Sequence, residues 1–227
     1  MTVIRISAFV LLALGLVSGL VTSSRADIAI GQVTDGPAGA VFVKIEAPPL
    51  GNPYGSTDSV GSDNFQSDNL FGFDEMQDIT LNEPLSVDKL VNGQGSFEPG
   101  TLPTGTQLAS HYIFFDSKVI RTVKGFVRFD QDILAVITSE DDLADSDFLG
   151  QPDVHYINTF LRGLEASDTI ELTGPREITV SLTTATPGDY FRVVTAVPEP
   201  STLVMASLFA LLLAGAGRRR RRRSSAA

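Results

Sequence analysis

The sequence predicts an all-β body between two apolar ends, and three observations carry that prediction. Runs rich in Val, Ile, Phe, Tyr and Thr recur through residues 27–196, divided by Gly, Pro, Asn and Asp, the signature of strands and turns. Several runs alternate: in Glu177–Thr183, Ile178, Val180 and Leu182 share one face while Thr179, Ser181 and Thr183 share the other. One stretch alone reads as a helix, with Ser139 as N-cap, Glu140, Asp141 and Asp142 at its positive end, and Leu143, Phe148 and Leu149 beyond. Nine or so short strands with one short helix imply an antiparallel β-sandwich, jelly-roll or immunoglobulin-like. The 170 residues from Asp27 to Ala196 suffice for one hydrophobic core. A one-domain β-helix is the alternative, against which the missing repeat period counts.

In chain order, the first element is an apolar helix. Arg5, an uncharged apolar run from Ala8 to Val21, and small residues Ser24 and Ala26 match the three zones of a secretory signal peptide. Residues 1–26 are therefore read as a removed signal, cleaved after Ala26. The run is shorter than the ~20 residues of a usual membrane span. Strands are expected at Ile28–Val33 and Ala40–Glu46. Residues 47–75, with Pro48, Pro49, Gly51, Pro53, Gly55 and Gly61, read as a long loop. Further strands are expected at Leu85–Val91, Thr106–Asp116, Val119–Asp130 and Ile133–Thr138. After the helix come Thr169–Thr173, Glu177–Thr183 and Tyr190–Ala196.

The chain ends on a second apolar segment. Residues 201–217 lack charge and reach about 25 Å as a helix, enough for a short span. Pro198, Glu199 and Pro200 precede it; Arg218, Arg219, Arg220, Arg221, Arg222 and Arg223 follow it, and residues 224–227 form a short tail. The positive-inside rule keeps the six Arg cytoplasmic and the body across the membrane. The two prolines hold the segment around Glu199 extended.

Charge narrows the functional classes. Residues 27–197 carry 26 acidic and nine basic residues, a net charge of −17, which speaks against nucleic acid as a partner. The chain has no Cys and two His, excluding disulfides, thiolate metal sites and Cys nucleophiles. No Gly-x-Ser-x-Gly elbow or His-Glu-x-x-His motif occurs. His111-Tyr112 and His155-Tyr156 sit in strand-like contexts. Asp74-Glu75 is an adjacent carboxylate pair of the type a glycosidase uses. Calcium, a hard cation that takes oxygen ligands, is offered Asp58, Asp63 and Asp68 with Asn64 and Asn69, or Asp141, Asp142, Asp145 and Asp147. Neither set matches an EF-hand loop. No other cofactor is implied. Sugar platforms favour Trp and Tyr, and the chain has no Trp and four Tyr.

The terminal segment 197–223 resembles the PEP-CTERM sorting signal, also called the ice-binding protein C-terminal domain, a name that does not imply ice binding. The resemblance implies a membrane-embedded exosortase as partner, recognising Pro198, Glu199 and Pro200. It further implies an exported protein, anchored in the inner membrane with a periplasmic body until processed, then at the cell surface or outside. Such tails accompany exopolysaccharide and biofilm, so exopolysaccharide is an expected contact. The body is similar to an ectodomain found with such tails, on Phe73-Asp74-Glu75-Met76-Gln77 with Leu81, Ser110-His-Tyr-Ile-Phe-Phe115, Ser146-Asp147-Phe148-Leu149, Leu161-Arg162-Gly163-Leu164-Glu165 and Pro187-Gly188-Asp189-Tyr190. No activity comes with that similarity. The expected protein is thus a non-enzymatic, structural or adhesive ectodomain with a sorting tail. The alternatives are a secreted carbohydrate-active enzyme using paired carboxylates, and a calcium-dependent adhesin.

Cleavage of the signal is expected between Ala26 and Asp27. N-terminal sequencing of the exported chain should begin at Asp27; a start upstream of residue 20 contradicts the reading.

Overall fold

Strand Glu177–Thr184 shows how the alternation is used: Ile178, Val180, Leu182 and Thr184 are buried, and the residues between them are half-buried. The computed structural model describes residues 25–46, 58–61, 64–184 and 187–197. The segment read above as a signal, upstream of Arg25, lies outside them, as do Asp63, Pro198, Glu199, Pro200, the apolar residues 201–217 and Arg218–Arg223. The strands are β1 (Ile28–Asp35), β2 (Phe42–Ile45), β3 (Ser59–Val60), β4 (Leu70–Asp74), β5 (Ile79–Thr80), β6 (Leu85–Val91), β7 (Phe97–Leu102) and β8 (Gln107–Phe115). Beyond these run β9 (Arg121–Phe129), β10 (Ile133–Ile137), β11 (His155–Tyr156), β12 (Thr169–Gly174), β13 (Glu177–Thr184) and β14 (Asp189–Ala196), with helix α1 (Glu140–Asp145) after β10. All nine sequence-predicted strands are present.

The described chain is mostly β, in antiparallel and mixed sheets. A four-stranded antiparallel sheet runs β1-β9-β13-β12. A larger sheet runs β2-β4-β8-β14-β10-β6-β7, with β5 also paired to β8. The expectation of purely antiparallel pairing needs correction: β2 pairs β4 in parallel, as β3 does β11. Residues 46–69 separate β2 from β4, long enough to return the chain to the end from which it started, as a parallel pair requires.

The core forms two layers around the larger sheet. Ile113 and Phe115 of β8 and Phe191 and Val193 of β14 pack with Val123, Val127, Ile178 and Leu182 of the four-stranded sheet. On the opposite face, Tyr112 and Phe114 of β8 and Tyr190 and Val194 of β14 pack with Val60, Phe65, Leu81, Leu143, Leu149 and Val154. This second face is covered by irregular chain, α1 and the short β3–β11 pair rather than by a large sheet. Both β8 and β14 are consequently buried on both sides over nearly their whole length.

Two local expectations are corrected and one unpredicted strand is added. The stretch 47–75 is not loop throughout, because Leu70–Asp74 forms the fully buried strand β4 between β2 and β8. Burial on both faces removes its alternation, and Gly72 gives clearance: a Cβ there would stand 2.7 Å from Ile113 Cδ1. Second, Phe97–Leu102 is a strand despite Pro99, which the edge position of β7 tolerates. Third, Leu143 and Leu149 are buried but Phe148 is 51% exposed. Ser139 occupies the N-cap of α1 without a side-chain bond to the helix backbone; Asp88 Oδ2 accepts the Thr138 and Ser139 amides at 2.6 and 2.9 Å. Among the described residues no helix is long and apolar enough to cross a membrane.

Candidate functional site

Arg192 lies midway along β14, flanked in sequence by apolar residues, and its side chain is wholly buried. A guanidinium has five N–H donors and no acceptor. Here every donor is used. Nε donates to Glu75 Oε2 at 2.6 Å, and Nη2 to Glu75 Oε1 at 2.9 Å and Asp147 Oδ1 at 3.4 Å. Nη1 donates to Ser146 Oγ at 2.6 Å and to the Leu143 carbonyl at 3.3 Å. Glu75, also wholly buried, accepts further bonds from Ser110 Oγ and from Tyr156 Oη at 2.6 Å. Arg162 closes the group with a fork onto Asp147 at 2.8 and 2.9 Å.

The rings of Tyr112 and Tyr156 lie 5.4 and 5.7 Å from the Arg192 guanidinium, within range of a cation–π contact. Burial alone would lower the arginine, but Glu75 outweighs it and holds Arg192 above the ordinary value. Burial pushes the Tyr112 phenol up to about 12. Burial and then the Glu75 charge also raise Tyr156.

A second polar chain occupies the other face of the same strands. His111 Nδ1 lies 2.7 Å from Asp74 Oδ1, and its Nε2 lies 3.0 Å from Thr195 Oγ1. Asp74 also meets Lys44 Nζ at 2.9 Å and accepts the Ile28 amide at 2.9 Å. Burial pushes the Asp74 carboxyl up, but His111, Lys44 and the Ile28 amide together hold it well below the usual carboxylate range. Hydroxyl, imidazole and carboxylate stand in the order of a hydrolytic triad. Yet Thr195 and His111 are fully buried between the sheets, where no substrate carbonyl reaches the hydroxyl.

Adjacent in sequence, Asp74 and Glu75 turn to opposite faces of the larger sheet. They do not flank a common cleft, so the Asp74-Glu75 pair lacks the geometry of glycosidase carboxylates. Segments 73–77, 110–115, 146–149 and 161–165, singled out in the sequence, do meet around Arg192. Arg192 itself was not singled out; its signal was a lone charge inside the apolar run Tyr190–Ala196.

The sequence-predicted metal ligands are distributed differently. Asp68 accepts Ser117 Oγ at 2.7 Å and lies 3.7 Å from Arg121 Nε. Asp58 is exposed beside β3, and Asp63 falls outside the described residues. Asp147 is held by Arg162 and Arg192. The carboxylates that converge among the described residues are Glu165, Asp168 and Asp189, whose oxygens lie within 4.8 Å of one another. Burial, then Glu165 and Asp168, pushes Asp189 up to about 9. Burial and Glu165, opposed by the Thr183 amide, bring Asp168 to about 6. On the outer face of the four-stranded sheet a shallow groove of about 300 Å³ is lined by Thr34, Lys124, Phe126, Thr169, Thr179 and Ser181, among others.

Compared with protein-family models, curated proteins and solved structures, the chain matches none of them.

Two outcomes follow from the buried networks. Arg192→Met should lower the unfolding free energy by about 3–5 kcal/mol, because Glu75 is left in the core without its cationic partner. The double variant with Glu75→Gln should lose less than the two single losses added together; urea titrations measure both, and simple additivity would contradict the pairing. Asp74, depressed below its ordinary 3.8, contributes stability that is present above that value and lost as pH falls further. Asp74→Asn should therefore be less stable at neutral pH. It should also lose less than the parent when melting is followed from neutral pH down to about pH 2.

Proposed function

We propose that this chain is an exported protein of the cell envelope or extracellular matrix, carried out by the signal of residues 1–26 and sorted by an exosortase through Pro198, Glu199 and Pro200. Its ectodomain is structural or adhesive and non-enzymatic, with exopolysaccharide as its contact. Before processing, residues 201–217 and Arg218–Arg223 hold it in the inner membrane; afterwards it resides at the surface or outside.

The observation that carries this reading is where the fold ends. β14 is an interior strand of the larger sheet and stops at Ala196, two residues before the motif begins. Processing at the motif leaves every strand of the ectodomain intact. At the other end, the Asp27 amide donates to Asp130 Oδ1 at 2.8 Å. Cleavage after Ala26 turns that nitrogen into an ammonium beside a carboxylate. The same cut gives up the buried Ala26 and its 3.1 Å bond to Gln77.

The non-enzymatic part of the reading draws on the burial of Glu75, His111, Arg192 and Thr195, which commits them to the core. The adhesive part draws on the hydroxyl-rich groove of the four-stranded sheet. The finer assignment of the fold as a jelly-roll or immunoglobulin-like sandwich draws on the packing of that sheet against the larger one.

A transplant tests the sorting. Residues 196–227 fused to an unrelated exported reporter should bring about its shortening in a host with an exosortase. Glu199→Ala in that fusion should leave membrane insertion intact and abolish the mass shift. Processing of the alanine variant at the parent rate would reduce the tail to a plain anchor.

A further inference from the structure

We infer that Glu165, Asp168 and Asp189 form a binding site for one calcium ion at the seam between the two sheets. The inference starts from an exception. Among the described residues four acidic residues are buried: Asp74, Glu75, Asp116 and Asp189. Asp74 has Lys44, His111 and the Ile28 amide, and Glu75 has Arg192, Ser110 and Tyr156. Asp116 accepts the Phe65 and Gln66 amides. Asp189 alone is fully buried with no donor group facing either oxygen; its side-chain partner is the Glu165 carboxyl, a second acceptor that can hold it only through a shared proton. An unpaired buried carboxylate is among the most costly groups a core can hold.

The oxygens of Asp189 are directed at two further carboxylates. Asp189 opens β14 in the larger sheet, while Asp168 immediately precedes β12 in the four-stranded sheet. Glu165 lies one turn earlier, with the Asp168 amide donating to its carbonyl at 3.0 Å. Asp168 is already oriented: Oδ2 accepts the Glu165 amide and Oδ1 the Thr183 amide, each at 2.9 Å. Each of these oxygens keeps a second lone pair for a ligand. Among the described residues no Lys or Arg forms an ion pair with any of the three.

The donor chemistry selects the ion. Three carboxylates with no nitrogen or sulfur donor suit a hard cation. Oxygens bound to one calcium at roughly 2.3–2.6 Å stand at most about 5.2 Å apart, and the three carboxylates, all within 4.8 Å of one another, fall inside that limit. Exposure rises from Asp189 through Asp168 to Glu165, so the site opens to solvent on one side. That opening gives the ion an entry path and lets water complete its shell. Magnesium, which demands a near-ideal octahedron at about 2.0–2.1 Å, is the poorer fit. The site stands independently of the sorting reading.

Calorimetric titration of the full chain with calcium chloride should give one site with a Kd of roughly 10⁻⁴–10⁻³ M. Saturating calcium should raise the melting temperature by about 2–4 °C. Asp189→Asn should fold normally, because the amide keeps the shape of a buried carboxyl that no donor group faces, and should bind calcium at least about tenfold more weakly. Glu165→Gln, at an exposed position, should weaken binding without altering the metal-free melt. Asp141→Asn, an exposed acid elsewhere, should leave binding unchanged. The proposal is overturned if calcium neither binds nor shifts the melt, if Asp189→Asn binds as tightly as the parent, or if Asp141→Asn weakens binding equally. Magnesium bound as tightly as calcium would overturn the choice of ion.

Discussion

The Arg192–Glu75 pair is the constraint on which the rest of the ectodomain depends. Burying a guanidinium and a carboxylate costs several kcal/mol per ion unless every donor and acceptor is met, and the partners that meet them come from several pieces of chain. Ser110 comes from β8, Tyr156 from β11, the Leu143 carbonyl from α1, and Ser146 and Asp147 from the turn after it. Arg162 then fastens Asp147. Apart from β8, these segments form the layer over the second face of the larger sheet, where few backbone ladders are available. A fully satisfied polar network supplies there the ordering that strand pairing supplies elsewhere.

Two polar chains lie back to back on β8 and β14 because side chains alternate across a strand. Ser110 and Arg192 face the irregular layer, whereas His111 and Thr195 face the other sheet. Asp74 and Glu75 divide between them. Two neighbouring carboxylates that resemble a catalytic pair in sequence are thereby assigned to separate structural tasks. Their chemistry is used internally, in a core that has apolar residues for its bulk and charges for its register.

The strands that were legible in sequence are those whose pattern survives packing. In β13 one face is buried and the other half-exposed, so Ile178, Val180 and Leu182 announce it. β4 was illegible because both of its faces are buried and Gly72 interrupts it. β7 was hidden by Pro99 and Gly100, which an edge strand accommodates. The two-residue strands β3, β5 and β11 are too short to leave any period. For the site, sequence marked most of the segments but not their meeting: Arg192 and Glu75 are 117 positions apart, and no local spacing encodes that contact. Asp189 read as part of a Pro-Gly-Asp turn, and only its burial without a donor distinguishes it from an ordinary turn acid.

The topology also limits where the chain tolerates cutting. β14 lies between β8 and β10 and carries Arg192, so a cut inside it would expose two unpaired strand edges and strip Glu75 of its partner. The larger sheet therefore cannot close until residues up to Ala196 have emerged. Val197 alone then separates the finished fold from Pro198. At the opposite end β1 begins at Ile28, one residue beyond Asp27, and pairs β9 at the border of the four-stranded sheet. Neither boundary has a spacer of more than a residue or two. A processing enzyme acting on either side thus needs a segment held extended outside the fold. Under the proposed reading, the carboxyl-terminal junction would meet that need through Pro198 and Pro200, since proline restricts its own φ and disfavours helix in the residue before it.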